Sequence, residues 1–195
     1  MAGGVFVLLK TSEAKKEEVS ARRHVFIKDE ATRNFEEYVP PLPEPLRCLL
    51  SEARLCDLSC SDGDEPPHTS LMNFSFIEEE KDILVITTRR DTKKFVLMEK
   101  HPKISMLLHD FPATKTQRKS KTEFQRTLSV SLVGYARIET GERADYYRNL
   151  HLQRNEEYAQ FIRGDDKAVI TIKIQKARMC NVQDQVTNWE SGVYR

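Results

Sequence analysis

Two hydrophobic periods take turns along the chain after residue 45, and the switches between them outline its elements. Leu46, Leu49, Leu50 and Ala53 recur at three- and four-residue spacing, which predicts a short helix over about 45–53. A period of two follows. In Leu55–Cys60, Cys56, Leu58 and Cys60 alternate with Asp57 and Ser59, the pattern of a half-buried strand. Residues 61–67, Ser-Asp-Gly-Asp-Glu-Pro-Pro, are turn formers. The β-branched and aromatic runs 68–77 and 82–87, parted by the charged residues 78–81, predict a hairpin. Phe95 and Met98 mark a helical stretch over 92–100, and Ile104, Met106 and Leu108 line one face of a strand over 103–109. Residues 111–126 are polar and basic and read as a long loop. Long strands are expected over 127–139 and 167–182, the second with Ile170, Ile172 and Ile174 opposite Thr171 and Lys173. Between them, 142–163 reads as one or two helices through Ala144, Tyr147, Leu150, Tyr158, Phe161 and Ile162. Strands joined by hairpins and short turns point to a mainly β chain, a small antiparallel barrel with peripheral helices.

Length and composition set the frame for that barrel. At 195 residues the chain is about one domain, large enough to bury roughly 70% of its unfolded surface without disulfide or metal support. Residues 1–39 carry dense, mixed charge and read as an extension, either a docking arm or a solvated tail. Pro40, Pro41, Pro43 and Pro45 then make 40–45 a stiff linker, leaving 46–195 as the folded domain. Lys and Arg number 31 against 30 Asp and Glu, a net charge of +1, which argues against binding nucleic acid over the whole surface though not against a local basic patch; no nucleic-acid partner is expected. The apolar run Val5–Leu9 is too short for a signal-peptide core or a bilayer span, so no membrane partner is expected. Cys48, Cys56, Cys60 and Cys180 fit neither a disulfide framework nor zinc spacing. They read as reduced thiols in a cytoplasmic protein.

The chemistry concentrates in residues 83–95. An apolar strand gives way to Thr87 and Thr88, then to Arg89, Arg90, Lys93 and Lys94 around the start of a helix opening near Thr92. Cations are misplaced there, because a helix N-terminus carries about half a positive charge and favours anions. Two arrangements resolve the conflict: the cations point away as a solvated turn, or an anion such as a phosphate sits at the junction. No GxxxxGK[ST] or GxGxxG sequence offers another phosphate cradle.

Several segments, in order, resemble the FMN-binding split barrel of the pyridoxamine 5′-phosphate oxidase-like family. In that family a strand ending in a Tyr/Thr pair is followed by Ser-Arg-Lys opening a helix, and the helix closes into Asn-Pro-Arg-Val-Ser. Here the pair is Thr87-Thr88, the triplet Thr92-Lys93-Lys94 and the exit His101-Pro102-Lys103-Ile104-Ser105. The stretch 131–139, with Gly134 before Tyr135-Ala136, is similar to the family's next strand, and the resemblance spans about 45–183.

The resemblance implies that Thr92, Lys93 and Lys94 hold the FMN phosphate and that Thr87 and Thr88 line the flavin. The family's upstream strand has a phosphate-binding Arg first and a Lys near the flavin ring last; His68 and Asn73 stand at those positions. Arg89 or Arg90 is then the natural source of the replaced charge. The resemblance further implies a homodimer with the flavin between subunits, where Ser129 matches a polar residue reaching across. Trp189, the only tryptophan, either stacks at the flavin edge or packs the C-terminal strand. The family's C-terminal Arg-x-His, which handles the vitamin B6 substrate, has no counterpart after His151. The expected function is therefore an FMN-dependent oxidoreductase on an unidentified small molecule. The alternatives are a non-catalytic flavin- or ligand-binding module and a barrel retuned for haem or a deazaflavin.

Overall fold

The computed structural model describes residues 39–78, 82–110 and 128–192. The charged extension, Val39 apart, and the basic loop 111–126 lie outside the described residues. In chain order the elements are α1 (Glu44–Glu52), β1 (Leu55–Cys60), β2 (His68–Ile77), β3 (Ile83–Arg89), α2 (Lys93–Lys100), β4 (Lys103–His109), β5 (Leu128–Glu139), α3 (Gly141–Arg154), α4 (Ala159–Ile162), β6 (Lys167–Asn181) and β7 (Val186–Glu190). A single 3₁₀ turn, Glu156–Tyr158, joins α3 to α4.

Neighbouring strands pair antiparallel in the order β3-β2-β1-β4-β5-β6-β7, and β3 also pairs with β6. That extra ladder closes six strands into a barrel, as the alternation predicts. β6 makes both closure and extension possible through its 15 residues. One edge runs along β5 from Val169 to Asn181. The other edge is shared: Lys167–Lys173 pair with β3, and Lys176–Cys180 pair with β7.

Inward positions fill the barrel with Phe74, Leu84, Ile86, Met106, Leu108, Leu132, Ile170 and Ile172, all fully or nearly fully buried. Each such side chain contributes about 1.5–3 kcal/mol over its exposed state. The faces of α1 (Leu46, Leu49, Leu50) and α2 (Phe95, Leu97, Met98) join this core. A smaller cluster outside the barrel packs Ala144 and Tyr147 of α3 on Ile77, Val85 and Val169. Cys56 and Cys60 are buried, and burial pushes their thiols up to about 12 and about 11, so they stay protonated.

Four features differ from the sequence reading or refine it. The proline-rich segment ends inside the domain: Leu42 is in the core, Pro43 caps α1, and Pro45 opens its first turn, where a missing N–H costs nothing. β3 runs two residues further, to Arg89, because β6 pairs with it along its whole length. The helical stretch 142–163 breaks at Asn155, whose side chain bonds backbone carbonyls instead of continuing the helix. β7 was not foreseen. Four of its five residues are exposed, so it lacks the apolar alternation that announces a strand.

Gly134 sits where the β5–β6 register shifts by one residue. A Cβ there would lie 2.7 Å from Ile172 Cγ2 and 2.9 Å from the Lys173 carbonyl. Gly134→Ala is expected to destabilise the barrel by about 1–3 kcal/mol, seen as a lower urea midpoint with an unchanged slope.

Candidate functional site

A cleft of about 420 Å³ opens beside the end of β3. Its wall comes from β1 and β2 (Leu55, Leu71, Met72, Asn73), the β3–α2 junction (Thr87, Thr88, Arg89, Thr92, Lys94), the segment after α3 (Tyr158, Phe161) and the start of β6 (Lys167). Six of the ten residues singled out from the sequence therefore meet in one place: Thr87, Thr88, Arg89, Thr92, Lys94 and Asn73.

The junction is built by local hydrogen bonds. Thr92 caps α2: its hydroxyl accepts from the Phe95 N–H at 3.4 Å and donates to the Arg89 carbonyl at 2.8 Å. The hydroxyls of Thr88 and Thr92 are 3.1 Å apart. Thr87 turns the other way and donates to the Phe161 carbonyl at 3.0 Å, which fastens the segment after α3 to β3.

The four cations diverge. Arg89 pairs with Asp91, and Lys93 pairs with Glu65 across the 61–67 turn. Both pairs are exposed and contribute little to stability. The Arg90 guanidinium lies 5.7 Å from the Phe95 ring centre. Lys94 lines the cleft and has no ion-pair partner among the described residues. Local carboxylates thus answer part of the misplaced positive charge, and Lys94 carries the remainder into the cleft.

Lys167 adds a second cation that sequence reasoning missed. It stands opposite Arg89 in the β3–β6 ladder, its side chain only 15% exposed, with Nζ 3.1 Å from Asp166 Oδ1. Nothing in the local sequence brings Lys167 to Arg89; the barrel closure does. Tyr158 and Phe161 were read only as helix-face residues, and the break at Asn155 redirects them to the cleft.

Asn73 belongs to a buried polar cluster. Its amide nitrogen donates to Asn155 Oδ1 at 2.8 Å and to the Arg54 carbonyl at 3.2 Å. Asn155, fully buried, donates in turn to the Phe74 carbonyl at 3.2 Å and to Ser75 Oγ at 2.7 Å. His151, also fully buried, sits 2.8 Å from Ser75 Oγ through Nδ1. Its Nε2 finds no partner among the described residues, and burial holds its pKa down at about 4.

The other four residues lie elsewhere in the chain. His68 starts β2 opposite Cys60. Lys93 faces Glu65. Ser129 is on β5 between His109 and Cys180. Trp189, on β7, donates its indole N–H to the Pro41 carbonyl at 3.0 Å and pins the segment before α1. Among the described residues, no group of three His, Cys, Asp or Glu side chains converges as a metal site would require. No described helix is long and apolar enough to cross a membrane.

A family model described as pyridoxamine 5′-phosphate oxidase matches residues 42–181. A pyridoxamine 5′-phosphate oxidase homolog of Schizosaccharomyces pombe is 25% identical over 174 residues, covering 76% of this chain and 90% of the relative. Among solved structures, a heme binding protein from Mycobacterium smegmatis superposes with a TM-score of 0.62 at 15% identity; the match covers 78% of this chain and only 60% of that one. A FAD-binding protein from Mesorhizobium loti gives a TM-score of 0.53 at 15% identity, covering 69% of this chain and 90% of the other. At these identities the structural matches speak to the fold, a split barrel.

His151 makes stability depend on pH in a stated direction. The unfolded chain takes up its proton near pH 6.5, but the folded chain resists until about pH 4. Its contribution is complete above pH 6.5 and is lost as pH falls through that window, by about 3 kcal/mol in all. Urea unfolding at steps from pH 7 to 4.5 should show this slope in the parent chain and a shallower one in His151→Gln.

Proposed function

We propose that this chain, which belongs to the pyridoxamine 5′-phosphate oxidase family, binds FMN in the β3–α2 cleft and is an FMN-dependent oxidoreductase acting on a small molecule. The observation that carries this reading is the cleft's mixed lining. Lys94, Lys167, Arg89, Thr88 and Thr92 line the same cleft as Leu55, Leu71, Tyr158 and Phe161. A dianionic phosphate joined to a flat apolar ring matches both kinds of lining. The volume of about 420 Å³ falls in the range of about 300–1,000 Å³ usual for small-molecule sites.

When bound, FMN would supply hydride-transfer chemistry. The protein's own residues then have binding tasks. Lys94 and Lys167 neutralise the phosphate, and the N-terminus of α2 adds its positive end. The Thr88 hydroxyl, 3.1 Å from that of Thr92, can turn its proton toward a phosphate oxygen, while Thr92 keeps its bond to the Arg89 carbonyl. Leu55, Leu71 and Phe161 exclude water from the ring.

The same reading includes a homodimer that walls off the cleft. Leu71, 66% exposed, and Leu107, 41% exposed, flank Asp57 on one outer face of the sheet, and Leu107 pairs with Ser131. This outer row, Leu71, Asp57, Leu107 and Ser131, leads from the cleft rim to β5, the strand that carries Ser129. A second copy seated there covers the leucines and brings its own Ser129 near the flavin.

Lys94→Ala should weaken FMN binding at least about tenfold in a fluorescence titration, since a charge-assisted hydrogen bond contributes about 1.5–3 kcal/mol. Unchanged affinity would remove the phosphate assignment. By light scattering the parent chain should have twice the chain mass, and Leu107→Glu should shift it toward monomer with loss of FMN; a monomer that still holds FMN would contradict the shared site. Bleaching of the bound flavin by a reduced small molecule, with reoxidation and turnover, supports the enzyme; a flavin that is bound but never cycled makes the chain a flavin-binding module.

A further inference from the structure

Phe161 is 57% exposed, yet its backbone is held by neighbouring side chains. Thr87 donates to its carbonyl at 3.0 Å. One residue on, Arg148 of α3 donates to the Ile162 carbonyl at 2.7 Å and to the Lys167 carbonyl at 3.0 Å. Asn155 ends α3 with its side chain bonded to β2 and so starts the turn that brings 158–162 back over β3. The residue therefore stands at a fixed place in the cleft lining and is more than half exposed.

Its surroundings suit a flat ligand. In the strand order β1-β2-β3, Leu55 and Leu71 rise from β1 and β2, whereas Phe161 is tied to β3. The cleft lining thus combines aliphatic side chains from β1 and β2 with an aromatic ring tied to β3, all three exposed. Exposing three large apolar side chains around one cleft is costly unless something covers them. A planar heteroaromatic seated in the cleft would cover them. Because the backbone under Phe161 is already fixed, little ordering entropy is spent on binding.

We infer that Phe161 is the stacking platform of this cleft, packing its ring against the heteroaromatic part of the bound ligand and so selecting flat rings over other phosphorylated molecules. The inference rests on the FMN reading and adds the residue that recognises the ring, as Lys94 and Lys167 recognise the phosphate. Arg148 and Thr87 are positioning residues for it.

The test uses the full-length protein, FMN, and two substitutions at one position. Phe161→Ala should lower FMN affinity about tenfold, the scale of one aromatic stacking contact, and leave the urea midpoint unchanged, because the ring is not in the core. Phe161→Trp should keep FMN affinity and quench bound-flavin fluorescence well below the parent's, since an indole in face contact quenches a flavin efficiently. Both results together support the platform. Bound flavin as bright in Phe161→Trp as in the parent, or FMN affinity unchanged in Phe161→Ala, overturns it. Loss of dimer mass in both variants with unaltered flavin emission also overturns it and assigns Phe161 to the subunit contact. Failure of the parent chain to bind FMN at all overturns the FMN reading, and this inference falls with it.

Discussion

The pairing of β3 with β6 is the constraint on which the molecule depends. Seven residue pairs, from Ile83 with Lys173 to Arg89 with Lys167, close the sheet into a barrel and bury Leu84, Ile86, Ile170 and Ile172 in one core. The same ladder carries β3 through Thr87 and Thr88 to its last residue, and its final pair sets two cations side by side. Core and cleft thus share one ladder: the register that buries the isoleucines also places Lys167 at the mouth of the site. A slip of one residue would turn the isoleucines outward and remove Lys167 from Arg89.

From that junction the cleft acquires two unlike kinds of lining. Positive charge gathers where α2 begins, although the helix alone would favour negative charge there. Asp91 and Glu65 offset Arg89 and Lys93 at the surface, while Lys94, and Lys167 with Asp166 beside it, line the cleft. The aromatic lining owes its place to Asn155, which stops α3, ties β2 through the carbonyl of Phe74 and sends Tyr158 and Phe161 back over β3. One buried amide thereby links the barrel wall, Asn73 and the aromatic rim. His151 beside it is kept neutral by burial.

Much of this was legible in the sequence because the signals are local. Alternation of Cys56, Leu58 and Cys60, or of Ile104, Met106 and Leu108, specifies a strand with one buried face. The hydroxyl-then-cation run from Thr87 to Lys94 marked the junction, and five of its residues meet in the cleft, with Asn73 from β2. What escaped is nonlocal or silent. Lys167 joins Arg89 across 78 residues of sequence, a contact only the closed barrel creates. β7 has an outward pattern without apolar alternation, and its register is set by β6 and by the Trp189 bond to Pro41. The break at Asn155 depends on the Phe74 carbonyl and the Ser75 hydroxyl of β2, which no helical period reports.

The central claim is that the β3–α2 junction exists to hold a phosphate dianion. Comparing the affinity of the intact protein for FMN and for riboflavin, which has the same ring and ribityl chain without the phosphate, tests it most directly. With two cations and the Thr88 hydroxyl available to the phosphate, FMN should bind at least about a hundredfold more tightly, and the advantage should shrink as salt is raised. Equal affinity for the two flavins, or a preference untouched by salt, would contradict the account.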